Sequence, residues 1–419
     1  MLMKTPIILF FCLLGLTVAC AQTNQTISSH IINHIDPEKV TTQLINTIPS
    51  SARAKANNYC EGGYWLLLWN MVCAAIIAGL FLFGGLNKYI LKRSGKIKGT
   101  NLSNFVFIIF YFLLFFLLSL PLDIYQNFIR EHQYGFSNQG FVQWFLNDLI
   151  TFLVELIIAA PFLVLVYAIF RKTRENWWVW GAVISIIFII GIIIIYPVFI
   201  APIFNQYTPL KNGALKDQIL SMARANRVNV DDVYVYNESQ QTKVFNAEVT
   251  GFAGTARISL NDNMLNHCTN NEIKAALAHE MGHYVLRHLF VLTMEYGLLI
   301  MLGFKLIQWS VIKLINKYGD KWKMNSIQDI TSLPLIVFLF TFYFFILTPV
   351  TNSITRVVEI EADNYGLNAA RQPDAFASLM LKSADNHKVD PGYWEEIIFF
   401  DHPCRKQRIL SAMIWKAEN

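Results

Sequence analysis

The chain has 419 residues, of which 54% are hydrophobic and only 15% are charged, and its formal net charge is +5. Soluble domains contain roughly 25% charged residues, so this composition excludes both an ordinary soluble globule and a disordered chain. A net charge of +5 over this length is too small to indicate a nucleic-acid-binding protein. The six cysteines lie far apart, which excludes a disulfide framework and a CxxC metal site. The composition therefore predicts a protein embedded in a lipid bilayer.

The N-terminal residues 1–21 have the pattern of a secretory signal peptide. Lys4 supplies the basic start, residues 7–18 form a short apolar run, and Ala19-Cys20-Ala21 resembles a cleavage site. The alternative is an uncleaved first membrane helix. Residues 22–62 are polar and rich in Ser, Thr and Asn, and we expect them to form an exposed, partly helical lead-in.

Six apolar stretches follow, each close to the ~20 residues that a helix needs to cross a bilayer. They are residues 64–85, 104–121, 147–170, 177–197, 288–311 and 332–350. The first four predict an N-terminal membrane domain over 63–197. The last two interrupt a polar region, 198–419, whose composition is that of a soluble domain. We therefore expect a polytopic helical membrane protein that carries its chemistry in this polar region.

The charges of the loops between the apolar stretches predict an orientation. Loop 86–103 holds five basic residues and loop 171–176 holds three, and four more follow the fifth stretch. In loop 122–146 the only Lys or Arg is Arg130. Cytoplasmic loops are enriched in Lys and Arg, so this distribution places the basic loops in the cytoplasm and the polar region on the opposite side.

The first polar block predicts a small α+β domain that leads into a helix. The expected elements are a helix over 217–226, a strand over 233–236, and a strand pair formed by 243–250 and 257–260. Thr269 and Glu272 form a capping-box pattern, which marks the start of a further helix. We expect this helix to continue into the fifth apolar stretch.

This last helix carries the sequence His279-Glu280-Met281-Gly282-His283. Two histidines at positions i and i+4 project from one face of a helix, close enough for both imidazoles to bind one metal ion. Glu280 follows the first histidine, where its carboxylate can act as the general base on the attacking water. The pattern predicts a zinc-dependent hydrolase.

A catalytic zinc ion takes three protein ligands, and a second helix offers the third. Glu359 and Asp363 lie at i and i+4 on one face, so one can bind the metal while the other orients a ligand histidine. Glu361 lies about 200° around that helix, so we expect it to face solvent. His288 lies about 180° from His279 on the continuous first helix, so we expect it to point away from the metal.

Together these residues resemble the signature of a known family. His279-Glu-Met-Gly-His283 followed by Arg356-Val-Val-Glu359-Ile-Glu-Ala-Asp363 is similar to the motifs of type I CAAX prenyl proteases, which are integral-membrane zinc metalloendopeptidases of the gluzincin kind. The resemblance runs from about residue 64 to 412 and includes segments 131–136, 196–210, 245–251 and 401–409. It implies a mainly α fold, with six to seven spans around a chamber and a small α+β zincin-like metalloprotease domain.

The resemblance also implies the roles of the site residues. His279, His283 and Glu359 would bind one zinc ion per chain. Glu280 would be the general base, and Asp363 would hold a ligand histidine in place.

Two further residues acquire roles only through the resemblance. Asn246 would bind the substrate backbone, and His402 would stabilise the oxyanion of the tetrahedral intermediate. The sequence departs from the family pattern at Phe245 and Glu248, which flank Asn246, and at Cys404, where a proline is common.

The implied function is hydrolysis of peptide or protein substrates that are prenylated at the C-terminus, by a multi-pass protein of the lipid bilayer. One alternative is a quality-control metalloprotease of membrane proteins that has no lipid requirement. Another is a catalytically silent, metal-binding membrane scaffold. The family resemblance implies a cytoplasmic catalytic side, opposite to the side that the loop charges predict.

Overall fold

The computed structural model describes residues 35–251, 256–384 and 387–419. The predicted signal peptide, 1–21, therefore lies outside the described residues. The described α-helices of six or more residues are α1 (Pro37–Asn46), α2 (Ser50–Leu82), α3 (Leu86–Ser94), α4 (Thr100–Ile124), α5 (Phe141–Thr173), α6 (Trp177–Ile195), α7 (Ala214–Ala225), α8 (Asp262–His267), α9 (Asn270–Val285), α10 (His288–Trp322), α11 (Leu333–Ala370), α12 (Pro373–Lys382), α13 (Tyr393–Phe399) and α14 (Arg405–Glu418). The strands are β1 (Tyr207–Pro209), β2 (Val233–Tyr236), β3 (Ala247–Thr250) and β4 (Arg257–Asn261).

The described residues contain five helical segments that are long and apolar enough to cross a membrane. One of them, Phe141–Phe204, has 64 residues and as a straight helix would measure about 96 Å, three times the apolar thickness of a bilayer. It is interrupted at Arg174, where φ is +47°, and so comprises α5 and α6. The five segments thus contain all six predicted apolar stretches except for residues 83–85, and the prediction of a polytopic helical membrane protein is confirmed.

The chain divides into two compact units. The first contains Tyr64–Ile193 and Thr293–Leu347 and is built from the apolar helices. Its interior holds fully buried aromatic side chains such as Tyr111 and Tyr167, and the Tyr167 hydroxyl lies 2.8 Å from Ser332 Oγ. Its surface carries exposed apolar side chains; the side chain of Ile157, for example, is 72% exposed, which suits contact with lipid rather than water.

The second unit comprises, among the described residues, 35–63, Ile194–Leu292 and Thr348–Asn419. Its strands form one sheet in the order β1-β2-β4-β3, in which β2 and β4 are parallel and the other neighbours are antiparallel. Strand β3 therefore forms one edge of the sheet. Helices α7, α9, α12 and α14 contribute to a common apolar core with β2 and β4, through residues that include Ile219, Ala223, Val233, Ile258, Leu260, Leu277, Met281, Phe376, Ile409 and Met413.

The predicted strand over 243–250 is only half correct, because the regular strand begins at Ala247. The side-chain amide of Asn263 donates to the Thr242 carbonyl at 2.7 Å, and that of Asn261 donates to the Val244 carbonyl at 2.7 Å. These side chains donate hydrogen bonds to backbone carbonyls that would otherwise accept from a neighbouring strand. The predicted pairing beyond Ala247 is confirmed, with Val249 opposite Ile258.

The expectation that one helix continues through the HExxH sequence into the fifth apolar stretch is wrong. Helix α9 ends at Val285, and α10 begins at His288. Between them, Arg287 adopts a left-handed backbone conformation with φ +59°, which ends a helix as glycine usually does. Nothing in the residue type signalled this turn, since arginine is a good helix former.

Candidate metal centre

Helix α9 begins where the sequence predicts it. The Thr269 hydroxyl accepts from the Glu272 amide at 3.3 Å, and the Glu272 carboxylate accepts from the Thr269 amide at 2.6 Å. The same carboxylate accepts hydrogen bonds from Ser378 and Lys382 of α12. Glu272 therefore caps α9 and also fixes it to a neighbouring helix, which gives the histidines of α9 a rigid support.

Two glycines allow α9 and α11 to pack backbone against backbone. A Cβ atom at Gly366 would lie 2.9 Å from the His279 amide nitrogen, and one at Gly282 would lie 3.2 Å from Ala362 Cα. Side chains at these positions would push the helices apart. The close approach brings Glu359 of α11 within reach of both histidines of α9.

His279, His283 and Glu359 come together as predicted. The His279 Nε2 atom lies 3.2 Å from His283 Nε2 and 3.3 Å from Glu359 Oε2, and His283 Nε2 lies 3.4 Å from Glu359 Oε1. One ligand atom from each residue falls within 4.8 Å of the others. Since His279 and Glu359 are buried, a cation held here would be largely shielded from solvent.

The chemistry of these groups fits a cation. With a proton on Nδ1 of each ring, both Nε2 atoms present lone pairs toward the same point, and so does the carboxylate of Glu359. Converging acceptors repel one another unless a positive charge lies between them. His279, His283 and Glu359 could therefore hold one metal ion, with a fourth position open to water or substrate.

Asp363 lies where the sequence analysis expected the partner of a ligand histidine. Its Oδ1 is 2.8 Å from His279 Nδ1, which keeps the ring proton on Nδ1 and leaves Nε2 for the metal. Arg408 of α14 holds Asp363 in turn, through Nε at 2.8 Å and a second nitrogen at 2.5 Å. All three residues are buried. Arg408 was not predicted as a site residue, although it lies in a segment that carries the family resemblance.

Glu280 has the electrostatic environment of a proton acceptor. Burial raises the pKa of its carboxyl to about 7, an effect that His279 opposes and Glu359 reinforces. A carboxyl whose pKa lies close to neutral can take up and release a proton within one reaction cycle.

His402 also reaches this cluster. Its Nε2 atom lies 3.2 Å from Glu359 Oε2, and its Nδ1 atom lies 2.8 Å from Asp401 Oδ1. Burial alone would lower the pKa of His402, but the hydrogen bond and charge of Asp401 raise it above the ordinary value. The side chain is 39% exposed, so a substrate can reach it. Arg356 of α11 holds the preceding backbone by donating to the Glu396 and Phe400 carbonyls.

Asn246 lies at the edge of the sheet. It directly precedes edge strand β3, and its carbonyl accepts from the Asn261 amide at 2.9 Å. Strand β3 packs against α9, the helix that carries the two histidines. Among the described strands, the outer edge of β3 has no neighbour, so it is suited to pairing with an extended peptide.

The structure corrects the sequence analysis for His288 and Glu361. His288 is not one of the candidate ligands, as expected, but it lies next to one of them: its Nδ1 is 2.9 Å from His283 Nδ1, because the turn at Arg287 redirects the chain. Glu361 is half-exposed as expected, but its Oε2 lies 3.1 Å from His288 Nε2. The angle of 180° between His279 and His288 holds only for one continuous helix, and the chain turns between them at Arg287.

The helical membrane segments, the small sheet and the histidine–carboxylate cluster define a membrane-embedded metallopeptidase. Residues 31–206 match the family model described as CAAX prenyl protease N-terminal, five membrane helices, and residues 209–415 match Peptidase family M48. The chain therefore belongs to peptidase family M48 and is a multi-pass integral membrane metalloprotease.

Individual relatives agree. The chain is 30% identical over 298 residues to the uncharacterized metalloprotease YhfN of Bacillus subtilis, covering 71% of this chain and 70% of that protein. It is 30% identical over 322 residues to CAAX prenyl protease 1 of Saccharomyces cerevisiae, covering 72% and 70%. The crystal structure of S. mikatae Ste24p has the same fold, with a TM-score of 0.74 at 22% identity, covering 90% of this chain and 95% of that one.

Proposed function

We propose that this protein is a zinc endopeptidase that cleaves peptide bonds next to a prenylated cysteine near the C-terminus of its substrates. The observation that carries the proposal is the convergence of His279, His283 and Glu359, whose ligand atoms lie within 4.8 Å of one another. Ligands of this kind, two imidazoles and one carboxylate, are those of catalytic zinc sites with an open fourth position.

In the proposed reaction a peptide C–N bond breaks and a C–O bond to water forms. Zinc, when bound, supplies Lewis-acid polarisation of the scissile carbonyl and makes water more acidic. Glu280 takes the proton from the attacking water and passes it to the leaving amine. His402 donates a hydrogen bond to the oxygen on which negative charge develops. Asn246 and the open edge of β3 bind the substrate backbone in an extended conformation.

The role of Glu280 is tested by Glu280→Gln, which keeps the shape of the side chain and removes its basicity. We expect zinc binding to persist while peptide hydrolysis falls by at least ~10²-fold, the usual contribution of a general base. Hydrolysis at the wild-type rate would contradict this assignment.

The proposed preference for a prenylated substrate is supported by the similarity to the yeast CAAX prenyl protease 1 and by the family match of residues 31–206. The test uses purified, zinc-loaded protein and two peptides of identical sequence, one with a farnesylated cysteine near its C-terminus and one without. We expect preferential cleavage of the farnesylated peptide on the carboxyl side of the cysteine. Equal cleavage of both would discard the prenyl requirement and favour a protease with broader substrates.

The same proposal places the catalytic residues on the cytoplasmic side, where the family resemblance puts them. A reporter fused after Asn229 tests this placement. A signal typical of the non-cytoplasmic side would instead support the orientation predicted from the basic loops.

A further inference from the structure

His283 has a partner on the side of its ring that faces away from the candidate metal position. That partner, His288, is the first residue of α10 and only 2% of its side chain is exposed. The two Nδ1 atoms lie 2.9 Å apart, and the ring planes cross at 75°. The other nitrogen of His288 lies 3.1 Å from Glu361 Oε2. The three side chains thus form a chain of hydrogen bonds that ends at a half-exposed carboxylate.

The direction of these hydrogen bonds follows from the last member. An ionised carboxylate only accepts, so Glu361 requires a proton on His288 Nε2. A neutral His288 then presents a lone pair at Nδ1, and His283 must donate to it from its own Nδ1. With its proton on Nδ1, His283 has a free lone pair on Nε2, the atom that faces His279 and Glu359.

We propose that His288 and Glu361 are positioning residues that hold His283 in the tautomer able to bind the metal. The proposal rests on the metal site described under the proposed function. It gives His283 a support equivalent to the one that Asp363 and Arg408 give His279. In each case a ligand histidine donates from Nδ1 to a buried partner, and a second residue fixes that partner.

The reverse tautomer would exclude the metal, and one substitution removes the bias against it, because an amide can either accept or donate where a carboxylate only accepts. In Glu361→Gln the amide can donate to His288 Nε2, so His288 can carry its proton on Nδ1. His283 Nδ1 then has to accept, and its proton moves to Nε2 at the metal position. Glu361 is 56% exposed, so this substitution should leave the fold intact.

The experiment measures the zinc dissociation constant of the full chain in detergent, by competition with a chromophoric chelator. We expect about 10-fold weaker binding for Glu361→Gln and 10- to 100-fold weaker binding for His288→Leu, the usual loss when the outer partner of a metal ligand is removed. In His288→Asp a carboxylate oxygen takes the place of Nδ1, so binding should recover to within about threefold of the wild type. Glu418→Gln, at an exposed C-terminal position, controls for the change in net charge.

The outcomes separate the inference from the function on which it rests. Wild-type protein that fails to bind zinc would overturn the proposed metal site and, with it, this inference. Normal zinc binding by the wild type, Glu361→Gln and His288→Leu would overturn the inference alone. So would equal losses in His288→Asp and His288→Leu, since packing rather than hydrogen bonding would then explain them. If the metal-free His288→Leu variant has a lowered thermal midpoint, its loss of zinc binding could reflect a damaged fold. The zinc affinity of Glu361→Gln alone then tests the inference.

Discussion

Replacing Asp363 with asparagine separates its two possible contributions, to stability and to metal binding. The carboxylate accepts from His279 on one oxygen and from Arg408 on both, and its side chain is only 4% exposed. Asparagine keeps the shape but offers one acceptor to two sets of donors. The guanidinium is charged and donates twice, so the amide oxygen should turn to Arg408 and the amide nitrogen to His279.

Two losses follow from this arrangement. Breaking a buried ion pair by removing one charge costs about 3–5 kcal/mol, and we expect the lower end because one hydrogen bond remains. His279 must also accept at Nδ1, which moves its proton to Nε2 and obstructs the metal. Zinc affinity should therefore fall about 10- to 100-fold, or about 1.4–2.7 kcal/mol.

A double-mutant cycle with Arg408→Met tests the reasoning. Without the guanidinium, the amide oxygen of Asp363→Asn can turn back to His279, so the double variant should regain zinc affinity relative to the single variant. The assays are chelator competition for zinc and the thermal midpoint of the metal-free protein. Asp374→Asn is the matched control, because Asp374 pairs with Lys416 on the surface, where a salt bridge contributes little. Unchanged zinc affinity in Asp363→Asn would show that Asp363 does not hold the proton of His279 on Nδ1.

Three further predictions concern the same unit. Gly366→Ala should cost about 1–3 kcal/mol of stability and weaken zinc binding, because the new Cβ would lie 2.9 Å from the His279 amide nitrogen. The control is Gly303→Ala, whose Cβ would meet its neighbour at an ordinary 3.5 Å; equal effects of the two would contradict the close approach. His402→Gln should lower kcat about 10²-fold with little change in KM or zinc affinity, as steady-state kinetics would show, and a normal kcat would remove the oxyanion role. Arg287→Gly should raise stability by about 1 kcal/mol because glycine adopts φ +59° without strain, and a fall in the thermal midpoint would argue against strain at that turn.

Much of the chemistry was predictable because it depends on local spacing. The i, i+4 pairs His279/His283 and Glu359/Asp363 share helix faces by the geometry of the α-helix alone. Thr269 and Glu272 marked the start of α9 correctly, since a capping box is a contact between residues close in sequence. The length and composition of the apolar stretches likewise sufficed to indicate membrane spans.

Other features depend on contacts between residues distant in sequence. Residue spacing alone left open whether Glu359 or Asp363 would face both histidines. In the structure Glu359 does so, because α9 packs closely against α11 at Gly366, a contact that no local pattern reveals. Arg408 reaches Asp363 from a helix 45 residues further on.

The sequence by itself was sufficient to predict a membrane protein with a metallopeptidase motif. The length of each apolar stretch and the helical spacing of its side chains are properties of single segments and need no tertiary contact. The tertiary structure alone decided which side chains contact His279 and His283. The left-handed backbone conformation of Arg287 places His288 next to His283, although the sequence predicted that His288 would point away. In this position His288 also contacts Glu361. Such a turn depends on how the chain packs on both sides of it, so the presence of an arginine in the sequence does not predict it.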